Sequence, residues 1–280
     1  MNAPTYTAEN TSRTITVQDI KIHYHEAGTG SEVLVLLHGT GPGASSWGNF
    51  RGNLPDLAAD FRVLAIDMPH YGESDKPATN LMNAAWYATV VVDVLDALGI
   101  KTAHFLGNSV GGSVALEIAL ARPELIDRLI LMGTAGSLPM FAPLPTEGAK
   151  NIVDFYESGD PTPEKMERFV RGMLFDQSLV TPEFVKVRYE AAIVPELLVH
   201  RELNIGWMHT LWRRVADVHH KTLLVYGRDD RVVPWDSSLI LLRLMPNADL
   251  HVFSRSGHWT QLERAGEFNQ LVRTFLRSPA

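Results

Sequence analysis

An α/β fold is predicted, a doubly wound and mostly parallel sheet with a helical lid inserted into it, and three observations predict it. Apolar runs without polar alternation, Val33–Leu37, Val63–Ile66 and Leu129–Met132, suit strands covered on both faces. Helical patterns separate these runs several times over, which implies crossover connections. Between the apolar His104–Leu106 and a small-residue helix stands Gly107-Asn108-Ser109-Val110-Gly111, a Gly-x-Ser-x-Gly turn of the kind that lifts a serine hydroxyl above a sheet.

In chain order, Thr14–Val17 and Ile20–His25 alternate around Gln18-Asp19 and read as an antiparallel hairpin at a sheet edge. His23 and His25 share one face there. They are expected as half-exposed strand residues rather than a metal pair, because no third ligand stands nearby in sequence. Val33–Leu37 ends in His38-Gly39-Thr40-Gly41-Pro42-Gly43, and a helix is expected from about Ser46 to Asp60. Val63–Ile66 leads into the turn-rich loop Asp67–Asp75. A helix over roughly Met82–Leu98 carries the stripe Val90, Val91, Val94, Leu95 and Leu98.

After Gly133 the character changes: prolines are frequent and helix starts recur. Thr162-Pro163-Glu164 and Thr181-Pro182-Glu183 each offer an N-cap hydroxyl, a proline at the first helical position and an acid in the first turn. The expected division is a core of residues 1–133 and 218–280 with a lid of residues 134–217. Strand Thr222–Tyr226, helix Ser237–Leu244, strand Leu250–Phe253 and helix Gly266–Leu276 then complete the alternation.

The 280 residues are 45% hydrophobic and 20% charged, an ordinary globular composition with enough apolar material for a large core. No apolar run approaches the ~20 residues of a membrane span. Met1–Thr14 lacks a basic-then-apolar secretory pattern. Zero cysteines exclude a disulfide framework, a thiolate nucleophile and thiolate metal sites, so cytoplasmic residence is the default. A net charge of −7 argues against nucleic acid and anionic membrane as partners. An anionic substrate would need a local cation.

A serine hydroxyl is a poor nucleophile until a base takes its proton, and the base needs an acid to fix its tautomer. In elbow-bearing α/β folds the chain order is serine, acid, histidine. Gly227-Arg228-Asp229-Asp230-Arg231 and Ser256-Gly257-His258-Trp259 both follow strand ends, where open α/β sheets place ligands. They offer His258 as base and either Asp229 or Asp230 as acid; the other aspartate could cap a turn or pair with Arg231. Backbone donors for a developing oxyanion come from Val110, directly after the serine, and from the His38–Gly41 loop at Thr40. His38 itself reads as a loop-organising residue. No metal-ligand spacing appears.

With these residues in place, the chain resembles the meta-cleavage-product hydrolases, carbon–carbon bond hydrolases of the α/β-hydrolase superfamily that serve bacterial aromatic and steroid ring degradation. The likeness covers nearly the whole chain. It rests on His38-Gly39-Thr40-Gly41-Pro42-Gly43-Ala44 with Trp47 and Asn49, on the elbow continued by Gly112, and on Leu131-Met132-Gly133. It continues through Met140-Phe141-Ala142-Pro143, Glu147-Gly148, Arg188-Tyr189-Glu190 and the two strand-end loops, whose acid and base stand 28 residues apart if the acid is Asp230.

The resemblance implies hydrolysis of a 2-hydroxy-6-oxo-hexa-2,4-dienoate to a 2-hydroxypentadienoate and a carboxylic acid, after ketonisation of the dienol. It implies Ser109 as nucleophile, His258 as proton shuttle, Asp230 as the orienting acid, and the Thr40 and Val110 amides as oxyanion hole. Arg188 would hold the carboxylate and enol end, with Gly41, Asn49, Asn108 and Trp259 lining that polar half. It implies further an anionic dienoate as the small-molecule partner, no cofactor, and a homo-oligomer of two or more chains. Thr40 departs from the glycine the family often has, and His70 from a glycine in the Asp-x-Pro-Gly turn. The group on the 6-oxo carbon would be read by Met140, Phe141, Ile152, Val153, Leu174, Phe175 and Trp212. The alternatives are a carboxylesterase of the same fold and a non-catalytic ligand receptor; Arg188 and the asparagines argue against the ester, which needs no buried carboxylate partner.

Overall fold

The computed structural model describes residues 5–79, 82–136, 141–199 and 210–279. β1 (Ser12–Val17), β2 (Ile20–Ala27), β3 (Val33–Leu37), β4 (Arg62–Ile66), β5 (Ala103–Asn108), β6 (Ile126–Met132), β7 (Lys221–Gly227) and β8 (Ala248–Phe253) form one sheet in the order β1-β2-β4-β3-β5-β6-β7-β8. β1 and β2 make the expected edge hairpin, with Gln18 and Asp19 both at positive φ, the backbone a tight two-residue turn requires. β2 is antiparallel to both β1 and β4, and the remaining neighbouring pairs are parallel. The winding direction reverses between β3 and β5, so the loop after β3 and the elbow after β5 open side by side into the crevice where α/β sheets bind ligands.

Successive residues of each central strand feed opposite faces, as the pleat dictates. Leu37, Leu64, Phe105, Leu131 and Leu224 pack with Val91, Val94 and Leu95 on one side. Leu36, Val63, Leu106, Ile130 and Val225 pack with Phe50, Leu57, Phe268 and Val272 on the other.

Beside the short α1 (Ala8–Thr11), the helix expected over 46–60 is two pieces, α2 (Ser46–Phe50) and α3 (Leu54–Leu57). Pro55 has no N–H to continue the ladder, so the helix must restart. Buried Asn53 fills the break, donating to Gln261 O at 3.0 Å and to Asn269 Oδ1 at 2.8 Å. α4 (Ala84–Ala97) buries its valine stripe, and α5 (Val110–Ala121) leaves the elbow.

Between β6 and β7 the described residues hold α6 (Glu147–Glu157), α7 (Pro163–Met173), α8 (Pro182–Ala192) and α9 (Pro195–Val199), and no strand. Thr162 and Thr181 cap α7 and α8, accepting from the N–H groups of Lys165 and Phe184. These helices bury a core of their own from Phe155, Met166, Phe169, Val170 and Val185, and Trp259 of the sheet domain joins it. α10 (Ser238–Leu244), α11 (Thr260–Glu263) and α12 (Ala265–Arg277) complete the chain. No helix among the described residues is long and apolar enough to cross a membrane.

His23 and His25 depart from expectation: they are only 1% and 2% exposed. The Asp67 loop and α1 cover that face. His23 Nδ1 lies 2.8 Å from Asp67 Oδ2 and His25 Nδ1 lies 2.9 Å from Thr11 Oγ1.

Candidate active site

Ser109 sits at φ 55° and ψ −119°, a backbone few L-residues adopt, and α5 begins at the next residue. The sheet enforces this turn. A side chain at Gly111 would meet the Leu37 carbonyl oxygen at 2.2 Å, so only glycine lets the helix start this close to β3. The Ser109 N–H donates to Met132 O at 2.8 Å, tying the elbow to β6. Val110, the first residue of α5, presents one of the N–H groups that a helix start leaves without an intrahelical acceptor.

Asp230 and His258 come together at the ends of β7 and β8. His258 Nδ1 lies 2.7 Å from Asp230 Oδ2, and the two residues are 3% and 7% exposed, respectively. The other carboxylate oxygen of Asp230 accepts from the N–H groups of Val232 and Val233 at 2.7 and 3.0 Å. These bonds occupy the carboxylate in a fixed orientation toward His258 Nδ1, an arrangement that suits an imidazole protonated on that nitrogen. Asp229 turns away, its Oδ2 3.6 Å from the Arg228 guanidinium.

The loop after β3 is held from below. His38, buried and so pushed toward its neutral form, donates from Nδ1 to Gly39 O at 2.7 Å and accepts the Met68 N–H on Nε2 at 3.0 Å. That is the loop-organising role its position suggested. Gly39 faces the elbow so closely that a side chain there would meet the Ser109 Cβ at 3.2 Å. The Thr40 carbonyl accepts the Tyr71 hydroxyl at 3.0 Å, which holds the Thr40–Gly41 peptide, while the bond from His38 to Gly39 O holds the peptide that carries the Thr40 N–H. His70 takes positive φ and is buried against Trp86 with its Nε2 at Pro77 O; it does not line the cavity.

A cavity of about 390 Å³ lies over these groups. Ser109, His258, Thr40, Gly41, Val110, Asn49, Asn108, Arg188 and Trp259 all line it, so every residue expected in the triad, the oxyanion hole and the polar half faces it except Asp230, which stands behind His258. Asn49 Nδ2 reaches Asn108 Oδ1 at 3.4 Å. Arg188, brought in by α8, is 6% exposed and donates from Nη2 to Pro42 O at 2.8 Å. Its guanidinium carbon lies 4.6 Å from the Trp259 ring centre and 5.5 Å from that of Phe169. Burial pulls this guanidinium down to about 10, which leaves it cationic at neutral pH. Its Nε has no hydrogen-bond partner, and among the described residues no carboxylate pairs with it. A buried cation so placed is costly unless an anion joins it.

Of the residues expected to read the substituent, Ile152 lines the cavity. Phe141 and Phe175 point outward, 78% and 37% exposed, while Val153, Leu174 and Trp212 do not line it. Met140 lies outside the described residues. The apolar wall is instead Leu144, Pro145, Ala149, Val232, Val233 and Pro234. Sequence reasoning also missed Glu263. It accepts from Gly257 N at 2.6 Å with one oxygen and from Phe175 N and Asp176 N at 2.8 and 2.7 Å with the other, joining the base loop to the segment after α7. The Gly-His-Trp loop announced a base, but nothing in sequence marked an acid five residues on as its anchor.

A parallel sheet with a strained serine elbow and an acid–histidine pair at neighbouring strand ends defines the α/β hydrolases. The model of the "Alpha/beta hydrolase family" matches residues 34–271. A 2-hydroxy-6-oxononadienedioate/2-hydroxy-6-oxononatrienedioate hydrolase of Burkholderia vietnamiensis is 40% identical over 266 residues, 92% of each chain. A meta-cleavage product hydrolase from Pseudomonas fluorescens, solved as a mutant complexed with acetates, matches with a TM-score of 0.85 at 35% identity, covering 94% of this chain and 97% of that one. A 2-hydroxy-6-oxo-6-phenylhexa-2,4-dienoate hydrolase from a Rhodococcus strain matches with a TM-score of 0.85 at 29% identity, covering 95% and 98%. The chain belongs to the α/β-hydrolase family and, within it, to the meta-cleavage product hydrolases.

Proposed function

We propose that the chain hydrolyses the carbon–carbon bond next to the 6-oxo group of a 2-hydroxy-6-oxo-hexa-2,4-dienoate. The observation that carries this reading beyond a general hydrolase is Arg188, an unpaired buried cation in the same cavity wall as Ser109. A guanidinium there receives the carboxylate and 2-oxygen of the dienoate in two parallel hydrogen bonds. Asn49, Asn108, Gly41 and Trp259 bound that end.

Ketonisation moves the proton of the 2-hydroxyl to the carbon next to the 6-oxo group, so that the bond to be broken can deliver its electron pair into a conjugated ketone. Ser109 then gives its proton to His258 Nε2 and attacks the 6-oxo carbon. Asp230 steadies the imidazolium, and the Thr40 and Val110 amides receive the oxyanion. Collapse breaks the carbon–carbon bond, His258 returns the proton to the leaving dienoate, and water activated by His258 releases the carboxylic acid from Ser109. The division of labour is a core of residues 1–133 and 218–280 that does the chemistry and a lid of residues 134–217 that holds the substrate. Assembly as a dimer or larger and residence in the cytoplasm rest on the family likeness and on composition; light scattering of the purified chain measures the first.

The test is loss of colour. A dienoate of this class bleaches with the purified chain and yields one equivalent of carboxylic acid, while nitrophenyl esters turn over far more slowly. Rapid ester turnover with no bleaching would instead make the chain a carboxylesterase, and binding of the dienoate without turnover would make it a receptor.

A further inference from the structure

The cavity lining is of two kinds. Arg188 and the two asparagines make its polar part. Leu144, Ala149 and Ile152 from the helical segment and Val232, Val233 and Pro234 from the loop after Asp230 make its apolar wall. Thr146, the threonine on this wall, has its hydroxyl engaged: it donates to Val232 O at 2.8 Å and accepts from Ala149 N at 3.3 Å.

Asp236 is 5% exposed, one residue from the wall residue Ser237, and accepts the Phe141 N–H at 2.7 Å. Asp230 stands behind His258. The nearby Arg231 faces outward, with its guanidinium 3.8 Å from Glu147. Among the described residues Arg188 is the cation on the cavity wall, and the carboxylate at the dienoate head occupies it in the reading above.

We propose that this chain selects dienoates whose group on the 6-oxo carbon is uncharged and apolar, and discriminates against those that end in a second carboxylate. This rests on the dienoate hydrolysis proposed above and deepens it. The chemistry is that of burial. An alkyl or aryl group gains by leaving water for this wall, whereas a second carboxylate loses its hydration and finds no second cation among the described lining residues. The substrate class therefore differs from the dioates after which the Burkholderia relative is named.

Two substrates with the same dienoate head test it, one carrying phenyl or propyl on the 6-oxo carbon and one carrying a chain of similar length that ends in carboxylate. The expected result is a kcat/KM for the neutral substrate higher by on the order of 100-fold, as for a pocket that must leave a polar group unpaired. Ile152→Arg, which places a cation on that wall, should raise kcat/KM for the dioate and narrow the gap at least tenfold; Ala149→Lys serves the same purpose if the first variant does not fold. Equal or faster turnover of the dioate by the unaltered chain overturns the selectivity while leaving the hydrolase assignment intact. Bleaching of neither substrate overturns the hydrolase assignment and the selectivity with it.

Discussion

The floor of the cavity and its roof are built to different rules. On the floor, Thr40, Ser109, Asp230 and His258 each stand within a few residues of the end of β3, β5, β7 or β8. Their positions are set by a hydrogen-bonded ladder with fixed registers and by one strained turn. On the roof, Arg188, Phe169 and Ile152 come from three helices, and their positions are set by side-chain packing in a separate small core. The two meet through Trp259, through the bond from Arg188 to Pro42 O, and through Glu263. The difference teaches where chemistry and selectivity reside: floor changes should abolish turnover, and roof changes should shift which substrate is held and how tightly.

The largest effect should separate the two aspartates on the floor. Asp230→Asn should lower kcat by roughly 10³–10⁴-fold, because an amide cannot hold the Nδ1 proton as a carboxylate does. Asp229→Asn should stay within about threefold, since its carboxylate meets Arg228 and not His258. Steady-state rates on one dienoate check both, and equal losses would break the assignment of the acid.

On the roof, Arg188→Gln should lower kcat/KM by about 10–100-fold, the value of one charge-assisted hydrogen bond or slightly more. KM should carry part of that loss, and hydrolysis of a small neutral ester should change little. A loss confined to kcat for both substrate types would move Arg188 from binding to the chemistry of the floor.

Glu263 tests the join. Its carboxylate accepts three backbone N–H groups, and Glu263→Gln replaces one accepting oxygen with a donor, leaving one or two of these N–H groups unmatched. A loss of about tenfold in kcat is expected, together with a lower melting temperature and a shifted pH–rate profile as the His258 loop loosens. A lower melting temperature with an unchanged profile would make Glu263 a brace for the fold alone.

The smallest effect lies away from the cavity, at Asp67. Burial would raise its carboxyl, but hydrogen bonds from His23 and from the Ser46 N–H outweigh that and bring it to about 2 from 3.8. A depressed acid adds stability above its unfolded value, and that stability drains away as pH falls from about 4 toward 2. The loss should be roughly 2 kcal/mol. Urea midpoints at pH 6 and pH 3 capture about half of it, roughly 1 kcal/mol, and Asp67→Asn should flatten the difference between them.

The same contrast explains what the sequence allowed one to read. The elbow, the loop after β3 and the two strand-end loops combine a continuous apolar run with glycine and a chemical side chain, a local pattern that survives without coordinates. The choice between Asp229 and Asp230 was not local, because it depends on which carboxylate the turn aims at β8. The burial of His23 and His25 was hidden for a similar reason: their cover comes from Thr11 and Asp67, on either side of them in the chain but brought together only by the sheet. On the roof, large apolar residues drew attention, yet Phe141 and Phe175 face outward while Ala149 and Val232 make the wall. Helical periodicity shows that a face exists but not which face meets the sheet.

Ser109→Ala, mixed in excess with a coloured 2-hydroxy-6-oxo-dienoate and followed by absorbance and by release of the carboxylic acid, tests the central claim most directly. The prediction is that the dienoate binds with an affinity close to its KM for the unaltered chain and that acid release falls by roughly 10⁴-fold or more. Acid release within tenfold of the unaltered chain would contradict the assignment of this serine as the group that opens the carbon–carbon bond.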